Sequence, residues 1–198
     1  MSYAIPAFLP FFLAALFAAV APVRFRYLLV LVPLVNGILI YLNAGQLTPI
    51  SIQLHTFTLQ IMDVGAQVTE QDAKLTLLFA YLFHLACFIC LIYALHVKDK
   101  VQIVAGLLYA GSAVGAVFAG DFITLFIFWE LLALTSVFLI LARRTRESFL
   151  SSMRYLVMQV LSGVLLFSGA LMIASHSGTA SITALVLNTD IFNINASY

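Results

Sequence analysis

Six long apolar runs dominate the chain, and polar connections separate them. The runs are Ala4–Val20, Tyr27–Leu42, Leu75–Leu95, Val101–Ala119, Phe122–Leu141 and Phe149–Ala174. A helix of roughly 20 apolar residues, rising about 1.5 Å per residue, crosses the hydrocarbon core of a bilayer. The pattern predicts an all-α polytopic membrane protein with about six transmembrane helices, built as a single membrane domain over residues 1–198.

The long connection between the second and third runs has a different period. Between Ile50 and Met62, apolar and polar residues alternate almost strictly, which is typical of a half-buried strand or hairpin. Pro49 and the segment Asp63–Gly65 mark its ends. We therefore predict a small β-hairpin between helices 2 and 3, acting as a cover without chemistry of its own.

Two features of the apolar runs predict how the helices pack. The fourth run is rich in small residues, including Gly111 and Gly115. Small residues at this spacing let membrane helices approach closely, so we expect this helix to lie centrally, with neighbours on both sides. Pro33 lies within the second run and should bend or loosen that helix.

Composition supports a membrane protein and excludes a nucleic-acid-binding one. Hydrophobic residues make up 64% of the chain and charged residues only 9%, whereas soluble domains are about 25% charged. The mean hydropathy is +1.11. A net charge of +1 is too balanced to indicate a nucleic acid as partner. We expect the helices to be surrounded by the lipid bilayer.

Basic residues are concentrated in alternate connections. One side of a six-helix arrangement carries Arg24, Arg26, Lys98, Lys100, Arg143, Arg144, Arg146 and Arg154, and the other side carries Lys74. The positive-inside rule therefore predicts that the N-terminus lies outside and that the β-hairpin lies on the outer face. Because basic residues follow the first run rather than precede it, that run is predicted to be a helix and not a cleaved signal peptide.

Glu130 is an ionisable carboxylate in the middle of the fifth run. A charge near the bilayer midplane costs several kcal/mol by most accounts, so such residues usually face a partner or a water-filled path. Its neighbours one turn away on the same helix are all apolar, namely Phe126, Ile127, Ala133 and Leu134. Any partner must therefore come from another helix. Glu130 is our first candidate for proton transfer, and the alternative is a protonated structural carboxyl that bonds neighbouring helices.

Three further polar residues have two interpretations each. His84 lies at nearly the depth of Glu130 and is either a proton relay or a neutral packing residue. Arg154 lies early in the sixth run, where it either extends back to the interface or forms a positive station for proton transfer. Asp121 precedes the fifth run and, with Thr124, is predicted to be a structural helix N-cap rather than an ion entry point.

A polar stripe on the sixth run consists of Tyr155, Gln159 and Ser162. It could either bond helices together or line a hydrated path. His84 also shares a helix face with Cys87 and Cys90, but without a nearby carboxylate or second histidine, so we predict no metal site. No flavin, iron–sulfur or quinone motif is visible, and we predict no cofactor.

The segment 120–136, with Phe128-Trp-Glu-Leu131 as its most specific part, resembles the fifth transmembrane helix of antiporter-like subunits. These are membrane subunits of Mrp-type Na⁺/H⁺ antiporters, respiratory complex I and membrane-bound hydrogenases. The segments Ser151–Leu156 and Leu161–Gly169 look most like the D-type subunit of Mrp antiporters. The resemblance is strong over Gly120–Ala174 and architectural elsewhere.

The resemblance implies that Glu130 matches the essential carboxylate of the first proton half-channel, and that Arg154 matches a basic position of several relatives. The family pairs its glutamate with a lysine on a broken seventh helix, and no counterpart of that lysine is found here. The chain is therefore expected to be the N-terminal portion of a longer subunit, or a split subunit completed by a second chain.

The implied function is that of a transporter subunit rather than an enzyme. It would form part of a proton or Na⁺/H⁺ pathway in a multisubunit complex of the bacterial inner membrane. The implied partners are other membrane subunits, H⁺ and, if the complex is an antiporter, Na⁺. Two alternatives are a proton-pumping subunit of a redox-driven complex and a non-conducting scaffold.

Overall fold

The computed structural model describes residues 6–43, 50–54, 57–61, 70–97 and 99–177. Seven α-helices lie within these ranges: α1 (Leu9–Val20), α2 (Arg26–Leu29), α3 (Leu31–Asn43), α4 (Glu70–Tyr93), α5 (Lys100–Val117), α6 (Phe122–Leu141) and α7 (Arg146–Ser177). Short 3-10 turns precede α2 and follow α4. The fold is that of a helical membrane protein, as the apolar runs predicted.

Four helical segments of the described chain are long and apolar enough to cross a membrane. They are Lys74–His96, Lys100–Val117, Phe122–Leu141 and Arg146–Ile173. The first two apolar runs of the sequence form shorter apolar helices, Leu9–Val20 and Tyr27–Leu42. The structure thus shows four helices of spanning length where the sequence predicted six.

The second apolar run is interrupted near its start. Helix α2 ends at Leu29, Val30 is a turn, and α3 begins at Leu31. Pro33 has no backbone N–H to donate to the carbonyl four residues earlier, and its ring crowds that carbonyl, which belongs to Leu29. The break occurs where this bond would have formed. Pro33 was expected to bend or loosen this helix, and the structure shows a break between α2 and α3.

Helix α5 is central in the bundle and packs against α1, α4 and α6. A Cβ atom added at Gly111 would lie only 2.8 Å from the Phe12 ring and 2.9 Å from Cβ of Phe11, both on α1. At Gly115, the ring of Phe128 on α6 occupies the space that a side chain would need. The two glycines therefore face different neighbours, which confirms the predicted central position of this helix.

The remaining contacts extend the bundle on both sides of α5. Helix α3 packs against α4 and α1, while α7 packs against α6. The hydrophobic core lies mainly between α1, α4 and α5, with Phe11, Leu107 and Val114 completely buried. Helix α6 is therefore placed between α5 and α7, the two helices with which it makes most of its contacts in the described chain.

Two strands lie in the connection between α3 and α4. They are β1 (Ile50–Leu54) and β2 (Phe57–Ile61), which pair antiparallel with Ile50 opposite Ile61 and Leu54 opposite Phe57. Strand β2 also contacts α6. Pro49, Asp63–Gly65 and Lys98, which entered the sequence-based predictions, lie outside the described residues.

Three connections that carry basic residues meet at one end of the bundle. The Arg144 guanidinium donates to the Asp99 carboxylate at 3.0 Å, which joins the α6–α7 connection to the α4–α5 connection. Lys100 lines a small cavity together with Pro22 and Phe25 of the α1–α2 connection. Helices that cross a membrane in alternate directions would bring these three connections to the same side.

Candidate proton-transfer site

Helices α6 and α7 run antiparallel and meet in a regular register. The rings of Phe126 and Phe167 stack with centroids 4.6 Å apart. Further along, Ser136 bonds to Tyr155, and the Ser148 hydroxyl donates to the Ile140 carbonyl. Between the aromatic stack and the Ser136–Tyr155 pair, Glu130 lies against Gly163.

Glu130 is partly exposed as a residue, but its two carboxyl oxygens differ. Oε1 is fully buried and has no hydrogen-bond partner among the described residues. A Cβ atom added at Gly163 would overlap Oε1, whereas it would lie 3.6 Å from Oε2. Oε1 thus occupies the space that any residue other than glycine would fill, directly against the α7 backbone.

This burial determines the chemistry that the site can support. A buried polar atom without a hydrogen bond is unfavourable, and an ionised carboxylate oxygen in that position is more so. The arrangement leaves Oε1 open to a hydrogen-bond donor from outside the described residues, such as a bound water or a cationic group. A donor of either kind would contact the carboxyl directly.

Tyr155 links α6 and α7 through Ser136. The Ser136 hydroxyl lies 2.6 Å from the Ala133 carbonyl and 3.0 Å from the Tyr155 hydroxyl. Because Ser136 has one hydroxyl proton and the carbonyl can only accept, the Tyr155 phenol is the donor in the bond between the helices. The polar stripe was predicted either to bond helices together or to line a path. Tyr155 bonds α7 to α6.

The other two stripe residues differ in their placement. Gln159 is half-buried and lies one turn before Gly163, on the same face of α7. The helix register therefore places it beside the Glu130 position, on the side toward Tyr155. Ser162 is exposed and, one residue before Gly163, lies about 100° around the helix from it. Their role in lining a path stays a prediction.

Arg154 does not approach Glu130 within this chain. It is exposed and lies nine residues before Gly163. Nine residues correspond to about two and a half turns, so Arg154 projects from the opposite face of α7, about 13 Å away along the helix axis. A direct Arg154–Glu130 pair is excluded by this geometry, and a charged station at Arg154 would have to act on another helix.

His84 belongs to a separate polar cluster between α3 and α4. Its Nδ1 lies 2.6 Å from the Ala80 carbonyl, which can only accept, so Nδ1 carries the proton. Its Nε2 then accepts from Nδ2 of Asn36 at 2.9 Å, and the same Asn36 amide donates to the Ala7 carbonyl at 2.7 Å. His84 is thus a neutral imidazole with both ring nitrogens occupied, and a relay through it would require Asn36 to move.

Asp121 is the N-cap residue of α6. One carboxylate oxygen accepts from the backbone N–H of Thr124 at 2.8 Å, and the other accepts from the Thr124 hydroxyl at 2.7 Å. Asp121 is only 3% exposed. This geometry is that of a helix cap, and it fixes the start of the helix that carries Glu130.

Two residues that matter at these sites were not proposed as site residues from the sequence. Gly163 faces Glu130, and Asn36 is the partner of His84. Nothing in the sequence alone singles out Gly163, because its contact with Glu130 depends on the register in which α6 and α7 pair. For Asn36, the signal was a lone amide in an apolar run, which needs a partner when buried.

The fold is that of a polytopic helical membrane protein with a carboxylate inside one of its long apolar helices. Residues 119–197, which include α6 and α7, match the family model described as NADH:quinone oxidoreductase/Mrp antiporter, transmembrane. The predicted resemblance to the antiporter-like subunits is thereby confirmed, and Glu130 lies within the matching segment.

Two curated relatives support the same family. They are the Na⁺/H⁺ antiporter subunits A1 of two strains of Staphylococcus epidermidis, each 32% identical over 81 residues. The match covers 40% of this chain and 10% of each relative. These relatives are A1 subunits, whereas the sequence motifs resembled the D-type subunit.

Two solved structures share the fold over nearly the whole chain. One is the membrane-bound sulfane sulfur reductase, an archaeal respiratory membrane complex, with a TM-score of 0.76, 17% identity, and coverage of 95% of this chain and 30% of that one. The other is the Mrp complex from Dietzia sp., with a TM-score of 0.72, 18% identity, and coverage of 96% and 22%. The chain thus spans less than a third of the chains it resembles.

Proposed function

We propose that this chain forms part of a proton or Na⁺/H⁺ translocation pathway in a multisubunit membrane complex, with Glu130 as the proton carrier. The observation that carries the proposal is the buried Oε1 of Glu130, which has no hydrogen-bond partner among the described residues. Polar groups kept in this state inside a membrane are usually functional. The family match over residues 119–197 supports the same role.

In the proposed cycle, the Glu130 carboxyl holds a proton while it lies against α7 and releases it to a hydrated path when a cationic group approaches. An opposite charge nearby favours the ionised form of a carboxyl. That cation would come from another subunit or from helices beyond the matched segment. Gln159 and Ser162 would line the path, and His84 and Arg154 would be secondary stations at most.

We further propose six crossings, with the N-terminus outside and the two β-strands on the outer face. The meeting of three basic connections at one end of the bundle supports this arrangement. Positively charged connections favour the cytoplasmic side. The bacterial inner membrane is the proposed location.

The decisive experiment is ion exchange in membrane vesicles that contain the assembled complex with Glu130→Gln. Glutamine keeps the size of the side chain but cannot carry a proton, so exchange should fall by about 100-fold or more. Glu147→Gln is the matched control, because Glu147 is an exposed carboxylate in the first turn of α7. Undiminished exchange with Glu130→Gln in a fully assembled complex would refute the proposal.

A second candidate is a proton-pumping subunit of a redox-driven complex. The fold shared with the sulfane sulfur reductase complex favours it. The subunits that purify with the chain distinguish the two: redox subunits indicate a respiratory complex, and small membrane subunits alone indicate an antiporter. A non-conducting scaffold predicts that Glu130→Gln alters assembly or nothing at all.

A further inference from the structure

We infer that Gly163 provides a closed position for the Glu130 carboxyl, so that Gly163 is a positioning residue for proton transfer. This inference rests on the proposed function of Glu130. It concerns one step of the cycle, the state in which the carboxyl is held between α6 and α7. We call this position the slot. It lies against the Gly163 backbone, with the Phe126–Phe167 stack on one side and the Ser136–Tyr155 bond on the other.

The slot exists because residue 163 has no side chain. Oε1 of Glu130 occupies the space of the missing Cβ and is fully buried there. Gly169, the next glycine on the same helix, has no atom within 4 Å of its missing Cβ position. Gly169 is exposed and lies on a different face of α7, so the close approach to Glu130 is not shared by the other glycine of this helix.

The slot is closed toward both ends of the helix pair. On one side the Phe126 and Phe167 rings stack at 4.6 Å, and on the other the Ser136–Tyr155 bond joins the helices. Oε2 is not in the slot, since it lies at ordinary contact distance from the missing Cβ. The carboxyl can therefore leave by rotating its own side-chain torsions, without separating α6 from α7.

The slot leaves the carboxyl without a full set of hydrogen bonds. Because Oε1 has no hydrogen-bond donor there among the described residues, a position that offers water or another donor would stabilise it. Release of the proton should therefore be accompanied by movement of the side chain out of the slot toward water. The carboxyl would then alternate between a dry position against Gly163 and a wet position outside the helix pair.

Gly163→Ala tests this inference, because a methyl group would fill the slot. The atom it displaces is the end of a flexible side chain rather than backbone, so we expect assembly and thermal stability to be nearly unchanged. Exchange should fall on the order of tenfold, because the carboxyl is held in the wrong place. Gly169→Ala is the matched control and should leave exchange unchanged.

A second-site variant separates the slot from general packing. Aspartate is shorter by one methylene group and leaves room for the methyl group. Glu130→Asp combined with Gly163→Ala should therefore exchange faster than Gly163→Ala alone, although Glu130→Asp by itself should be impaired. If Gly163→Ala prevents assembly, Glu130→Ala in the same chain should restore it, since it removes the clash.

The outcomes distinguish this inference from the proposed function. Equal exchange by Gly163→Ala and Gly169→Ala, with Glu130→Gln inactive, would overturn the closed position and leave the carrier role intact. An assembly defect in Gly163→Ala that Glu130→Ala does not relieve would also overturn it. Full exchange by Glu130→Gln would instead remove the carrier role on which the inference rests.

Discussion

Two buried polar sites in the same bundle are built in opposite ways. At the Asn36–His84 cluster, both imidazole nitrogens and the amide N–H groups have partners, at distances between 2.6 and 2.9 Å. At Glu130, one carboxyl oxygen is equally hidden from solvent but has no partner among the described residues. The two sites lie in different helix pairs, α3 with α4 and α6 with α7.

The difference bears on the proposal that Glu130 moves during transport. A fully bonded network in an apolar interior holds its helices in place, because any displacement leaves polar groups unsatisfied. A carboxyl that lacks a hydrogen bond loses none by moving, and a new partner or a different position would stabilise it. The contrast therefore supports the proposal that Glu130 is the group that changes state, while the Asn36–His84 cluster holds its helices in place.

The largest effect on stability should come from breaking the bonded cluster. Asn36→Ala leaves Nε2 of His84 and the Ala7 carbonyl without their donor, and we expect a loss of about 1–2 kcal/mol. Glu130→Gln should cost much less, because it removes no existing bond of Oε1. Thermal unfolding of the two variants in the same detergent measures the contrast, and equal losses would contradict it.

A smaller effect is expected at the bond between α6 and α7. Tyr155→Phe removes the phenol that donates to Ser136 and should reduce stability by roughly 0.6 kcal/mol, the average for such bonds in membrane helices. Tyr109→Phe is the control, since Tyr109 on α5 is 38% exposed. A loss of exchange as large as that of Glu130→Gln would show that Tyr155 takes part in transport.

The smallest effect should come from the ion pair at the bundle end. Asp99→Asn removes the charge that pairs with Arg144 but keeps an oxygen that can cap α5 through Val101. Because the Arg144 side chain is 74% exposed, we expect a loss in stability at the low end of the range for exposed ion pairs, about 0.2 kcal/mol, decreasing further at high salt. Melting temperatures measured at low and high salt test this, and a large salt-independent loss would contradict it.

The sequence was sufficient where a local pattern carries the information. The glycines at positions 111 and 115 indicated the central helix, Pro33 indicated a weakened second helix, and Glu130 was conspicuous among apolar neighbours one turn away. Each of these features depends on residues within one helix. Helix periodicity is enough to recognise them.

Features that depend on two distant segments were not predictable in this way. Asn36 and His84 are 48 residues apart, and Glu130 meets Gly163 only because α6 and α7 pair in one particular register. The opposite placement of Arg154 follows from the same register. The apolar segment Tyr27–Leu42 is also divided near Val30, ahead of Pro33, and hydropathy alone does not locate that break.

The ring of Phe128 has a mechanical consequence for the cycle. The ring fills the notch in α5 that the missing side chain of Gly115 leaves. Phe128 is two residues from Glu130 and therefore lies on the opposite side of α6. Sliding α6 along its axis would require the ring to be pulled out of that notch. Helix α6 is thus held in register with α5, and in the proposed cycle the glutamate side chain is the element that would move.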